Sequence, residues 1–255
     1  MVSRMKYVQV LPLALAVALL LGRSPVCAAS AKITEQSLKT KITALTKDLQ
    51  DLSMTGTVTQ SNKDALAEVE PNFARLYEFK SAKVMLKLPD RLRMEGKLGM
   101  VRVEYVVNGS TKIFRASPIK VNKREEYPDD PAKLQGALDV GLVTPTMWEN
   151  RRIEVMEDTD ADTCGEIKLR LRWPKGDMVY YAWLDAQNLW LKKYEKYDSQ
   201  GKLKARMVYS NPKNIFGNMW MPTRVEMYAP DGDKAGTSEM SDIKYNIGLP
   251  DSLFK

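Results

Sequence analysis

The residues that could do chemistry in this chain are mostly carboxylates, because its 255 residues include no histidine and only two cysteines. Without imidazole there is no Ser-His-Asp triad, no Cys-His pair and no His-ligated zinc site. One acidic run begins like the calcium-binding loop of an EF-hand. It has Thr163 where that loop requires a glycine and Leu169 where the loop ends in a glutamate, so it does not match the motif. We interpret that run as a solvated turn between strands; it consists of Glu157, Asp158, Asp160, Asp162 and Glu166.

Other catalytic patterns are also missing from the sequence. Cys164 is a lone thiol with no histidine to activate it, which favours a structural role. The chain contains no Walker loop, dinucleotide fingerprint or Gly-x-Ser-x-Gly elbow. We therefore predict no catalytic residue, no metal and no cofactor. An enzyme that uses paired carboxylates stays open as an alternative, because any two acids can meet in the fold.

The first 29 residues have the pattern of a secretory signal peptide. Arg4 and Lys6 give a positive start, residues 10–21 are apolar throughout, and Ala28 and Ala29 end a small-residue cleavage site. This pattern predicts export to the periplasm and one domain over residues 30–255.

The mature chain has a mild basic excess. The leader holds three of the 39 basic residues and none of the 32 acidic ones, so the net charge falls from +7 to +4. An excess of this size does not indicate a nucleic-acid partner. Only Cys164 remains after cleavage, which excludes an internal disulfide.

Two periodicities describe the elements that must position these side chains. Residues 33–52 carry apolar residues at steps of three to five, which predicts an amphipathic helix. From Met54 onward the period becomes two, as in Ile167, Leu169 and Leu171, which alternate with cations. Turn residues such as Asn108-Gly109 separate these runs, as in a meander. We predict one antiparallel sheet of ten or eleven strands, which must curl to bury one face.

Two further features modify this picture. Between Pro131 and Asn150 the alternation breaks, which predicts one or two short helices. Methionine and aromatic residues are abundant in the later strands, for example Met178, Tyr180 and Trp183. Such soft side chains either fill an ordinary core or line an adaptable apolar trough that re-packs around a guest. The second interpretation predicts binding of acyl chains.

Several motifs resemble the LolA-like outer-membrane lipoprotein-sorting family. They are Lys87-Leu88-Pro89-Asp90-Arg91-Leu92-Arg93, Trp220-Met221-Pro222-Thr223-Arg224 and the C-terminal Asn246-Ile247-Gly248-Leu249-Pro250-Asp251-Ser252-Leu253-Phe254. The resemblance implies an unclosed antiparallel β-barrel covered by an N-terminal helix and short lid helices. It also implies a non-catalytic periplasmic carrier of acylated lipoprotein or a phospholipid-like ligand. A donor transporter in the inner membrane and an acceptor at the outer membrane are the partners it implies, and we expect a monomer.

One position departs from the family pattern. Founding members have an arginine just before the proline of the early strand, where it helps latch the lid; here Leu88 stands there, with Lys87 on the other face. The resemblance is therefore to the broader sorting-protein-like branch, whose members need not carry lipoproteins. A lipid-sensing regulator or accessory protein of a membrane transporter, without bulk transport, is the alternative function.

We predict that the apolar face of the N-terminal helix closes over the inner faces of the strands. The expected lipid-binding residues are Ile33, Leu38, Ile42, Leu45, Leu49, Val84, Leu86, Leu88, Val103, Tyr105, Leu169, Leu171, Trp173 and Trp183.

Overall fold

The computed structural model describes residues 33–70, 77–157 and 165–255. The predicted signal peptide, residues 158–162 of the acidic run and Cys164 lie outside these ranges. Within them, no helix is both long and apolar enough to cross a bilayer. Thirteen antiparallel strands occupy most of the described chain: β1 Asp51–Ser61, β2 Ser81–Lys87, β3 Arg91–Leu98, β4 Val101–Asn108, β5 Thr111–Ser117, β6 Val121–Glu126, β7 Arg152–Val155, β8 Glu166–Arg172, β9 Val179–Asp185, β10 Leu191–Tyr197, β11 Leu203–Phe216, β12 Met219–Tyr228 and β13 Lys234–Tyr245.

All thirteen strands belong to one unclosed sheet. Strands β1 to β6 form one meander and β7 to β13 form another, and the two join because β1 pairs with β13. Strands β6 and β7 are therefore the free edges of the sheet. Residues 127–151, which we call the crossing segment, connect one free edge to the other.

The fold class agrees with the prediction, but the predicted strand number was too low. Strand β6 was hard to recognise because five of its six residues are exposed, so it lacks apolar alternation. Strand β7 has only four residues, which is short for a strand signal.

Helix α1 (Glu35–Thr46) is shorter than the predicted helix over residues 33–52. Thr34 caps it by accepting a hydrogen bond from the Ser37 N–H at 3.2 Å. After the helix ends, the chain turns into β1, so Leu49 lies in the turn and Leu52 lies on the strand. The apolar spacing continued through this turn and concealed the end of the helix.

Helix α2 (Lys63–Val69) was not predicted. Asn62 caps it, accepting from the Ala65 N–H at 3.3 Å. Its buried residues Ala65, Leu66 and Val69 pack against β11, β12 and β13. Seven residues are too few to show a helical period.

The crossing segment contains three 3-10 helices where short helices were predicted. They are Pro131–Lys133, Ala137–Val140 and Pro145–Trp148. A fourth 3-10 helix, Asp251–Phe254, ends the chain and packs on the outer face of β2 to β5.

Candidate functional site

The inner face of the sheet is apolar and covered by two different parts of the chain. Over β7 to β12, α1 buries Leu38 and Ile42 in what we call the first cluster. Over β1 to β4, the crossing segment buries Ala137 and Leu142 in the second cluster. Both covers present apolar side chains to the sheet, as the lid prediction required.

Soft and aromatic side chains are frequent in this interior. Met240 packs against both clusters, and Met207 packs against the first cluster and α2's cluster. Tyr180 and Tyr194 stack with ring centroids 5.7 Å apart. Burial raises the pKa of the Tyr194 and Tyr209 hydroxyls above the usual range, so both side chains stay neutral. A methionine-rich interior can re-pack around an apolar guest.

Twelve of the fourteen predicted lipid-binding residues lie on the covered interior. Val103 is buried and shares the inner face of β4 with Tyr105 and Val107 by alternation. The others pack in the two clusters: Ile33, Leu38, Ile42, Leu45, Leu169 and Leu171 in the first, and Leu49, Val84, Leu86, Leu88 and Tyr105 in the second.

Trp183 lies on the opposite face from the one predicted. Tyr180, Ala182 and Leu184 of β9 point inward, so alternation turns Trp183 outward. There it is covered by neighbouring side chains, with the Lys193 ammonium 3.7 Å from its ring centroid. The sequence of β9 is apolar on both faces, so its period could not decide which face is inside.

Trp173 lies just beyond β8 and lines a small cleft instead of the covered interior. The Arg151 guanidinium stacks on its ring at 4.2 Å. The cleft has a volume of about 100 Å³ and lies between the β2–β3 and β4–β5 turns and the crossing segment. Sites that enclose small ligands usually measure about 300 Å³ or more. The cleft is therefore smaller than a usual small-ligand site.

Sequence reasoning missed Arg151 and the α2 residues. An isolated arginine in a loop gives no sequence signal for a cleft, and α2 is too short to show its apolar face. Within residues 33–70, 77–157 and 165–255, no three His, Cys, Asp or Glu side chains are grouped for a metal ion.

The position expected for a latch arginine faces the interior. Leu88 packs against the second cluster, whereas the Lys87 ammonium bonds to Asp251 and to the Leu249 carbonyl at 2.8 Å. Lys87 thus fastens the C-terminal segment. Between the two covers, the Trp148 indole N–H donates to Glu35 of α1 at 3.1 Å.

Comparison with known proteins identifies the fold. A family model described as an uncharacterized protein matches residues 149–255, and no curated protein matches the sequence. A LolA superfamily protein from Nitrosomonas europaea is 15% identical, with a TM-score of 0.53 over 88% of this chain and 98% of that one. An outer membrane lipoprotein-sorting protein domain from Vibrio parahaemolyticus is 13% identical, with a TM-score of 0.51 over 85% and 97%. A DUF1329 family protein from Desulfovibrio piger is 12% identical, with a TM-score of 0.50 over 86% and 94%.

At these identities the likeness concerns the fold. The resemblance that the sequence motifs indicated is confirmed at this level: the chain has the fold of LolA superfamily proteins.

Proposed function

We propose that this protein, which has the LolA superfamily fold, is a periplasmic carrier that shields acyl chains inside its sheet and delivers a lipoprotein or lipid toward the outer membrane. The observation that carries the proposal is the apolar inner face of an unclosed sheet, covered by α1 and the crossing segment. Both covers bury apolar residues that an acyl chain could replace.

The energetics require a cover of this kind. Burial of each CH₂ group is favourable by about 0.8 kcal/mol, so exposing a sixteen-carbon chain to water costs about 12 kcal/mol. In the empty carrier, the apolar faces of α1 and the crossing segment occupy the interior instead of the chain. Cargo then exchanges one apolar contact for another, which keeps binding reversible.

Entry uses the gap in the sheet. Strands β6 and β7 do not pair, so the edges can separate without breaking a hydrogen-bond ladder. The crossing segment between them consists of short 3-10 helices and turns, and it is joined to α1 through the Glu35–Trp148 hydrogen bond. Leu88 stands where the resemblance implies an arginine, and its apolar packing helps to hold the cover at this position.

The remaining parts of the proposal follow from the sequence. Residues 1–29 are a signal peptide that is removed on export, and residues 30–255 form the single lipid-binding domain, which acts as a monomer without catalysis. An inner-membrane transporter supplies the cargo and an outer-membrane acceptor receives it. N-terminal sequencing of the periplasmic protein should start at residue 29 or 30; retention of residues 1–29 would contradict the processing step.

The acyl site is tested by changing one of two adjacent residues that point to opposite faces of β13. Met240→Gln puts an amide between the two interior clusters, and burying an unpaired amide is unfavourable. The control, Glu239→Gln, introduces the same glutamine side chain at an exposed position. We expect Met240→Gln to weaken binding of a fluorescent fatty acid by about tenfold, and Glu239→Gln to leave it unchanged.

The melting temperatures of both variants show whether they are folded. Equal affinity of a folded Met240→Gln variant and the parent protein would contradict an acyl site in the interior. Lipid hydrolysis by the parent protein would instead favour an enzyme that uses carboxylates.

A further inference from the structure

Two exposed apolar side chains protrude side by side from one end of the sheet. Met100, at the β3–β4 turn, is 95% exposed, and Ile119, at the β5–β6 turn, is 61% exposed. The two hairpins are adjacent because Arg102 pairs with Ser117 across β4 and β5. We call residues 97–102 and 117–123 the paired tips.

The paired tips are also basic. They contain Lys97, Arg102, Lys120 and Lys123 and no acidic residue. Arg102 is engaged by Glu95 at 3.1 Å and Glu104 at 3.3 Å. Lys97 and Lys120 form no ion pair with any residue of the described chain, so their charges are available to a partner.

Met100 follows a glycine in the tight turn between β3 and β4. Gly99 has a φ of +61°, in the left-handed region that a tight turn requires and that glycine adopts without strain. Nothing lies within 4 Å of a Cβ built at Gly99, so the space beside this residue is open. Met100 thus follows a tight turn residue, and its side chain is almost fully exposed.

We infer that the paired tips dock on the surface of a bilayer that contains anionic phospholipids. Apolar side chains that enter the interface gain by leaving water, while nearby lysines are attracted to anionic headgroups. A stable protein interface needs about 800 Å² from each partner, whereas the exposed apolar part of the paired tips consists of two side chains, Met100 and Ile119. Docking requires only these tips and does not rest on the carrier function.

The geometry leaves the cleft uncovered in the docked protein. The cleft is lined by Asp90 and Gly109, from the β2–β3 and β4–β5 turns. In antiparallel hairpins these turns lie at the opposite end of the strands from the β3–β4 and β5–β6 turns. The bilayer thus meets the end of the sheet that is remote from the cleft.

The test is cosedimentation of the purified protein with equimolar phosphatidylglycerol–phosphatidylcholine vesicles and with phosphatidylcholine vesicles. We expect binding to the anionic vesicles that weakens as ionic strength rises. Met100→Ser with Ile119→Ser should weaken this binding at least about tenfold. Lys97→Gln with Lys120→Gln should weaken it about 25-fold, from about fivefold for each lysine.

The matched control changes two other exposed large apolar residues of the described chain, Tyr245 and Ile247, to serine. Tyr245 ends β13, away from the paired tips, so Tyr245→Ser with Ile247→Ser should leave vesicle binding unchanged. All three double variants change exposed residues, and melting temperatures equal to that of the parent protein would show that the variants are folded. Equal losses from the tip and control variants, or no vesicle binding by the parent protein, would overturn the inference. Capture of a membrane protein through the tips, with no binding to vesicles, would overturn it too.

Discussion

At the scale of single residues, Glu226 on β12 shows how the outer face is organised. Its carboxylate accepts hydrogen bonds from the Lys234 ammonium at 2.7 Å, the Arg224 guanidinium at 3.0 Å and the Tyr228 hydroxyl at 3.0 Å. Lys234 and then Arg224 lower the pKa of Glu226 to about 2, because these bonds favour the charged form.

This shift predicts a defined pH dependence. The pKa in the folded protein is below the unfolded value, so the stabilisation is complete above about pH 4.5 and is lost as the pH falls toward about 2. Glu226→Gln should lower the free energy of unfolding at neutral pH by about 0.5 to 1 kcal/mol, a small value because the site is near solvent. Urea denaturation between pH 2 and pH 7 measures this. If the free energy of unfolding of the variant fell with pH between about 4.5 and 2 as steeply as that of the parent protein, the lowered pKa of Glu226 would be contradicted.

Residue positions on the inner face were largely predictable from alternation. Leu169 and Leu171 alternate with cations, so their face was unambiguous and both lie inside. Trp183 was misplaced because its strand is apolar on both faces. Arg151 could not be predicted at all, since the contact with Trp173 joins a loop to the end of β8.

At the scale of elements, the C-terminal segment acts as an outer fastening of the sheet. The Asp51 carboxylate accepts from the N–H groups of Ile247, Gly248 and Leu249, at 2.8, 3.0 and 3.0 Å. The Arg93 guanidinium donates to the Leu253 carbonyl at 2.9 Å, and Phe254 is fully buried. The segment therefore covers the part of the outer face that would otherwise expose apolar residues.

Removing the last aromatic ring should be costly. Phe254→Ala leaves a cavity against Met85, Val106 and Ile113, and such truncations usually cost about 3 to 5 kcal/mol. Leu253→Ala is the comparison, because Leu253 is only partly buried and should cost less. Urea denaturation of both variants measures the difference. A loss below about 1 kcal/mol for Phe254→Ala would show that the segment is not part of the core.

Helices and strands were predictable where apolar and polar residues alternate regularly along the sequence. The long alternating strands and the capped start of α1 follow from local sequence. The end of α1, the polar strand β6 and the short helix α2 depend on tertiary contacts, which override weak local signals.

At the scale of the whole molecule, the pairing of β1 with β13 and the gap between β6 and β7 determine how the protein can work. The sequence predicted that the antiparallel sheet curls. It did not predict that the sheet is open between β6 and β7, because two short edge strands give no sequence signal of their own. The apolar side chains of α1 and the crossing segment pack against the inner face of the sheet.

The most direct test of the carrier proposal is native mass spectrometry, with organic extraction, of the protein purified from the periplasm. We predict a bound phospholipid or acylated peptide at about one per protein, released by organic solvent. An unloaded mass, unchanged after incubation with phospholipid and acylated peptide, would contradict the carrier function and favour a role in binding a membrane-protein partner.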